Sequence, residues 1–480
     1  MSMPNRDAFF IGNRWTVPAS DRRFTLINAS TEEAIASVPE ACEADVDAAV
    51  AAAREAFDNS GWATMSFADR AAVMERFMGA IAARGADLAQ AVSTQNGMPV
   101  AISGQLEGGF SIGVLQYYTE LAKTLGQPDV RPSQMGRETL VERSAIGVVA
   151  AIVPWNFPVT LALSKIAPAM AAGCTLVIKP SPGTVLDSYI LAEAALEAGV
   201  PPGVLNWVAA DRYIGAYLVS HPGVDKVAFT GSTTAGRIIA RTCGELLRPV
   251  TLELGGKSAA VLLDDADIGA FIAGVPMASM LNNGQACYNG TRVLAPRQRY
   301  DEVVDALAGM ASSLKVGDAL DPETQVGPMA SSAHRDRVEG YIETGKREAR
   351  LVAGGGRPLH TNRGWFVEPT VFADVDNRAT IAQEEIFGPV LAVIAYDGDD
   401  DAARIANDCA FGLGGSVWST DSARATQFAR RVHSGTVGVN GYMPSLGAPF
   451  GGIKASGMGR EFGPEAIGAY QQLKSIYVMG

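Results

Sequence analysis

The run Gly147-Val148-Val149-Ala150-Ala151-Ile152-Val153, closed by Pro154-Trp155-Asn156-Phe157-Pro158, decides the fold. It is apolar, uncharged and rich in β-branched residues, which is how a strand buried on both faces reads. Val159–Ala172 then follows in a helical pattern. The alternation repeats: Thr175–Lys179 reads as a strand and Val185–Ala198 as a helix, Val204–Val208 as a strand and Tyr213–Ser220 as a helix. Lys226–Thr230 is a strand and Ala235–Leu247 a helix. This order predicts an α/β chain with a parallel, doubly wound sheet and helices on both of its faces. Ligands of such a sheet sit beyond the carboxyl ends of its strands.

Downstream of Pro249 a second α/β series begins. Ser258–Leu263, Arg292–Ala295 and Gly435–Asn440 read as strands, and Arg299–Leu314, Ala403–Asn407 and Ala423–Arg430 as helices. Upstream, Ala-rich helical patterns fill Glu43–Phe57 and Phe67–Gln95. Gln127–Ser144 and Leu473–Val478 fit neither series. They are expected to pair as a small sheet that reaches a partner subunit.

Composition narrows the function. At about 150 residues per domain, 480 residues make two to four units. The balance of 39 basic and 51 acidic residues, net −12, leaves no positive footprint for nucleic acid. The longest mostly apolar stretch, Ile166–Ile178, holds Pro168 and Gly173 and is too short to span a bilayer. The polar start, Met1–Phe10, does not read as a secretory signal. Cys42, Cys174, Cys243, Cys287 and Cys409 have no paired spacing, and His221, His334, His360 and His433 are scattered. Neither a disulfide framework nor a metal site is expected. These features predict a cytoplasmic protein with no membrane partner, whose chemistry rests on a cysteine, carboxylates or an organic cofactor.

Five segments could carry that chemistry. Asn156, between two prolines at a strand end, presents its amide in a fixed direction or merely caps a helix. Lys179 reaches ribose hydroxyls or is a solvated lysine at a loop mouth. Gly231-Ser232-Thr233-Thr234-Ala235-Gly236, between strand and helix, turns tightly and offers free N–H groups to phosphate, although it matches neither common phosphate-loop pattern. Glu253, in an apolar and glycine-rich setting, is a base with a raised pKa or a loop carboxylate paired to Lys257. Cys287 sits on a loop where backbone donors would stabilise a thiolate, or it is inert. Cys174 and Cys243 read as small core residues.

Taken together these segments resemble the aldehyde dehydrogenase superfamily. Residues 154–158, Lys179-Pro180-Ser181, Phe229-Thr230-Gly231-Ser232-Thr233, Leu252-Glu253-Leu254-Gly255-Gly256-Lys257 and Gly284-Gln285-Ala286-Cys287 carry the resemblance. Residues 384–390 and 449–461 extend it in order. It implies that Cys287 is the nucleophile, that Asn156 and the Cys287 N–H form the oxyanion hole, and that Glu253 is the base for deacylation. Lys165 and Glu461 resemble a proton-relay pair. Val153, Pro154, Trp155, Lys179, Ser181, Pro182, Gly215, Gly231, Ser232, Gly236 and Leu254 are the implied cofactor contacts. Glu385 is implied on the nicotinamide ribose and Phe387 beside the ring. The implied domains are residues 1–126 with 146–254 for the dinucleotide, 255–465 for catalysis, and 127–145 with 466–480 as an oligomerisation arm building a homodimer or homotetramer.

One departure concerns the cofactor. Many relatives carry Glu where this chain has Pro182, so an acceptor for the adenine ribose 2′-OH and a charge repelling a 2′-phosphate are both missing. NAD is expected, with NADP less excluded than usual. Glu253 favours hydrolysis to a free acid over transfer to CoA. Val159, Thr160, Leu161 and Ser164, with Tyr288 and Phe450, are expected to line an apolar tunnel for a neutral aliphatic or aromatic aldehyde. A carboxylate-bearing semialdehyde would need a cation there, and Arg292 and Lys454 are the candidates. A cysteine hydrolase would leave the Gly231–Gly236 turn without a purpose. A non-catalytic scaffold would be free to lose Cys287, Glu253 and Asn156.

Overall fold

The computed structural model describes residues 7–126 and 129–479. Met1–Arg6, which carry most of the polar start, Gln127 and Pro128 at the head of the expected arm, and Gly480 lie outside the described residues. The first sheet has five parallel strands in the order Leu205–Trp207, Thr175–Lys179, Val148–Ile152, Lys226–Thr230, Val250–Glu253. The chain winds outward one way from Val148–Ile152 and then the other way from Lys226–Thr230. The crevice between those two strands is the switch point where such sheets bind ligands. Antiparallel edges close both sides, Phe9–Ile11 with Arg14–Thr16 at one end and Gly457–Met458 at the other.

Strand periodicity explains the layering. Val148, Ala150 and Ile152 join one apolar core, whereas Val149, Ala151 and Val153 join another on the opposite face. Helices therefore cover both sides, and an uninterrupted apolar strand is the consequence. The helix Pro158–Ala172 packs on one face and Glu43–Asn59 on the other.

The second sheet runs Arg350–Ala353, Thr370–Ala373, Val390–Tyr396, Arg292–Pro296, Ala259–Leu262, Gly415–Trp418, Gly438–Val439. All its pairs are parallel except the first. Its strands also split by parity, Ala259 and Val261 to one core and Ala260 and Leu262 to another. A third sheet joins Asp129–Pro132, Glu138–Ala145 and Gln471–Val478. The long C-terminal strand pairs with Glu138–Ala145 over its whole length, as expected from the two leftover segments.

Several expectations need correction. The helical pattern over Phe67–Gln95 divides into two helices, Phe67–Ala82 and Gly85–Asn96, interrupted at Ala83-Arg84. The strand expected over Gly435–Asn440 pairs only at Gly438–Val439. Ser332–Glu348 is a helix with only Val338, Ile342 and Gly345 buried, too thin an apolar stripe to stand out among its charges. No helix among the described residues is long and apolar enough to cross a membrane.

Candidate active site

The carboxyl ends of three parallel strands deliver the site. Val148–Ile152 leads into Pro154–Pro158, Lys226–Thr230 into Gly231-Ser232, and Val250–Glu253 into Leu254-Gly255. Between them lies a cleft of about 190 Å³ whose walls include Trp155, Asn156, Ser232, Leu254, Cys287, Glu385 and Phe387. Cys287 arrives from the second unit, on a turn held by three successive left-handed residues, Asn282, Asn283 and Gly284. Asn283 ties that turn down by donating to the Gly97 and Pro328 carbonyls and accepting from the Gly327 N–H. Asn156 Nδ2 donates 2.9 Å to the carbonyl of Gln285, two residues before the thiol.

The thiol does not behave as its loop position suggests. Burial pushes the Cys287 pKa up, and the Glu385 and Glu253 carboxyls push the same way. The N–H groups of Cys287 and Tyr288 pull it down, as expected, but they lose. The half-buried sulfur rests as a thiol.

Glu253 ends its strand rather than lying on a loop, and Lys257 is not its partner. Its side chain is buried and neither carboxyl oxygen has a hydrogen-bond partner. Burial raises its pKa well above the ordinary carboxyl range, and Glu461 adds to the rise. Behind it, Lys165 Nζ donates 2.7 Å to Glu461 Oε1 and 2.7 Å to Thr230 Oγ1, while Ser164 Oγ donates 2.9 Å to Glu461 Oε2. Both members of that ion pair are buried.

The opposite half of the cleft presents a helix N-terminus and the Glu385 carboxyl. Ser232 caps the helix Thr233–Glu245, whose first turn carries no acid, so the positive end of the helix is open to an anion. Gly255 has no room for a side chain, since a Cβ there would fall 2.3 Å from Glu385 Oε2. Glu385 Oε1 accepts from the Gly256 N–H, and burial lifts its pKa to about 7. Lys179 is buried, not solvated. Its Nζ donates to the Pro180 and Ala210 carbonyls, and burial lowers its pKa to about 8. Gly215 abuts the Lys179 stem and Gly236 abuts Leu254, so both act as spacers beneath the cleft. Val153 is buried and its N–H donates to the Lys179 carbonyl. Ser181 and Pro182 are half-buried beyond it.

On the other side of Cys287, Tyr288 stacks on Tyr442 at 4.6 Å and meets Phe450 edge-on at 6.3 Å. Phe450, Phe462 and Phe110 continue this aromatic wall. Leu161 is half-buried, Ser164 is engaged by Glu461, and Val159 is wholly buried. Arg292, the candidate cation for a semialdehyde, is buried within the second sheet and spends its guanidinium on Asn377 Oδ1 and three backbone carbonyls. Lys454 donates to the carbonyls of Asn407 and Cys409. Arg292 is therefore not free to meet a carboxylate, whereas exposed Lys454 keeps a third ammonium N–H.

A model of the aldehyde dehydrogenase family matches residues 15–476. The chain belongs to that family. It is 62% identical over 471 residues, 98% of each chain, to a geranial dehydrogenase of Castellaniella defragrans. A Mycobacterium tuberculosis aldehyde dehydrogenase complexed with NAD+ superposes with a TM-score of 0.97 at 45% identity, covering 99% of each chain. A mutant of aldehyde dehydrogenase C from Pseudomonas syringae, in complex with NAD+ and octanal, gives 0.95 at 39% identity over 98% of this chain and 96% of that one. In this aldehyde dehydrogenase, two cleft residues escaped the sequence reading. His334 lies 5.2 Å from the Trp155 ring, its Nε2 is 2.6 Å from the Phe387 carbonyl, and burial lowers its pKa to about 4. Arg337 lines the same wall and donates to the Glu385 carbonyl. Both stand on the polar helix Ser332–Glu348, and the spacing of three between them on one helix face was the available signal.

Proposed function

We propose that this aldehyde dehydrogenase oxidises a neutral, apolar aldehyde, aliphatic or aromatic, to the free acid with NAD, using Cys287, Asn156 and Glu253. The observation that carries the reading is the meeting of a thiol, an amide donor and an unpartnered carboxyl at the cleft beyond the strand ends. The Cys287 sulfur releases its proton to water in the cleft and adds to the aldehyde carbon. The resulting oxyanion takes hydrogen bonds from Asn156 Nδ2 and the Cys287 N–H, and one such donor is typically worth about 3–4 kcal/mol. The cofactor, when bound, supplies the acceptor for the hydride this carbon releases. A thioester then remains on Cys287. Glu253 deprotonates the water that hydrolyses it, and the Lys165–Glu461 pair provides the outlet for that proton.

The aromatic wall beside Cys287 supports an apolar substrate, and the burial of Arg292, with its guanidinium spent on Asn377 and backbone carbonyls, counts against its meeting a semialdehyde carboxylate. Geranial, in the name of one relative, and octanal, in complex with another, are uncharged as well. Glu385, Phe387, Trp155, Ser232 and Lys179 are the cofactor contacts of this reading. NAD in two similar structures supports the choice, while Pro182 lacks the charge that would repel a 2′-phosphate. The three sheets support division into dinucleotide, catalytic and arm units. Exposed Leu473 and Tyr477 on the arm support a homodimer or homotetramer. Unbridged cysteines suit a reducing, cytoplasmic setting. The test is absorbance at 340 nm with an aldehyde panel and each cofactor, alongside light scattering. Turnover of semialdehydes in preference to apolar aldehydes would overturn the substrate class, and a monomeric mass with full activity would overturn the assembly.

A further inference from the structure

The helix Pro158–Ala172 begins directly after Asn156 and carries Leu161, Ser164 and Lys165, yet nothing in its own sequence caps it. Phe157 at the N-cap has no side-chain acceptor, and the first turn contains no acid. Exposed to the core, such an end would leave backbone N–H groups unpaired. The acceptor comes from 52 residues upstream. Glu107 Oε2 accepts from the Val159 N–H at 2.7 Å, and both carboxyl oxygens lie 3.4 Å from the Thr160 N. Thr160 answers by donating 3.0 Å to the Leu106 carbonyl. Glu107 is fully buried and sits in a single π-helical turn, Leu106–Phe110, inserted between the helices Val100–Gln105 and Ser111–Ala122. Such bulges re-aim a side chain at the cost of regular bonding, and they recur at functional sites.

The preceding residues are clamped as well. The Asn156 carbonyl accepts from Asn96 Nδ2 at 3.2 Å and from Asn282 Nδ2 at 2.9 Å, and Asn96 also holds the Trp155 carbonyl at 3.0 Å. Asn156 is thus held from one side by two amides and from the other by the helix start that Glu107 fixes. None of the reacting groups touches Glu107.

We propose that Glu107 is a positioning residue for oxidation: it caps the helix Pro158–Ala172 from outside and so sets the Asn156 amide against the Cys287 turn. The proposal rests on Asn156 as the oxyanion donor, and the test separates the two. Glu107→Ala, Glu107→Gln, Asn156→Ala and the Glu107→Ala/Asn156→Ala double variant are compared by the rate of the first NADH turnover and by steady-state KM for NAD. Asn156→Ala is expected to slow the first turnover about 10²–10³-fold. Glu107→Ala is expected to slow it roughly tenfold with KM for NAD unchanged, because the cofactor half of the cleft is untouched. Glu107→Gln keeps one acceptor oxygen and should recover the rate to within about threefold, which also serves if the alanine variant does not fold. The double variant should be no slower than Asn156→Ala alone, since a residue acting through Asn156 has nothing left to position. Unchanged kinetics for Asn156→Ala would remove the donor reading itself. Full effects in Asn156→Ala with multiplicative losses in the double variant, or with a wild-type rate in Glu107→Ala, would overturn the role of Glu107.

Discussion

Glu253 and Arg292 are about equally removed from water, at 3% and 1% exposure, and the protein treats them in opposite ways. Arg292 makes four hydrogen bonds, to Asn377 Oδ1 and to the carbonyls of Lys257, Ile405 and Ala406. Glu253 makes none. A buried ionisable group without partners costs stability, so its retention points to chemistry, whereas a saturated one points to architecture. The contrast also separates the two sheets. The first sheet ends one strand in an unpartnered carboxyl at the cleft, and the second uses its buried cation to lock loops together.

Removing the nucleophile gives the largest effect expected at the unsatisfied edge. Cys287→Ala should lower turnover by more than about 10⁴-fold while NAD still binds, as titration calorimetry would register. More than a trace of steady-state activity would break the assignment. Glu253→Gln comes next, with kcat down roughly 10²–10⁴-fold. It should give a burst of at most one NADH per site and an acyl adduct on Cys287 visible by mass spectrometry. Only the ionised form of Glu253 accepts the proton of water. Its raised pKa means that this form is gained as pH rises, so deacylation should climb from acid toward alkaline pH and lose that limb in the glutamine variant.

The saturated edge should respond in stability instead. Arg292→Met strips donors from buried carbonyls and should cost on the order of 3 kcal/mol by denaturant titration, with KM values retained in the folded fraction. A variant of full stability and altered aldehyde preference would erase the distinction drawn between the two charges. The smallest effect is expected at Pro182, outside both clusters. Pro182→Glu should raise the ratio of kcat/KM for NAD over NADP by about tenfold, near 1.4 kcal/mol of discrimination. An unchanged ratio would show that residue 182 does not face the adenine ribose.

Much of this was legible in the chain. Thr175–Lys179 and Lys226–Thr230 fall where their apolar runs place them, because a strand buried on both faces has a composition no neighbour needs to explain. The small arm was legible too, from two alternating segments that fitted neither α/β series. Short edge strands such as Phe9–Ile11 were not, since a few residues carry no period. His334 and Arg337 hid in a helix whose polar face overwhelms its apolar stripe. Cys287 was legible as the exceptional cysteine, but not as a thiol of raised pKa, because the burial that chiefly raises it and the carboxyls that add to the rise come from distant segments.

By itself the sequence determined the β-α alternation, a ligand site beyond the carboxyl ends of the strands and the residue types available there, since periodicity and turn chemistry are local properties. Only the tertiary structure decided which groups are paired. Hydrogen-bond satisfaction depends on segments 50 to 300 residues apart: Glu107 with Val159, Lys165 with Glu461, Arg292 with Ala406. The same burial makes one carboxyl a helix cap and leaves another free to act as a base. What differs is which backbone donors the folded chain brings within reach, and no local pattern encodes that distance.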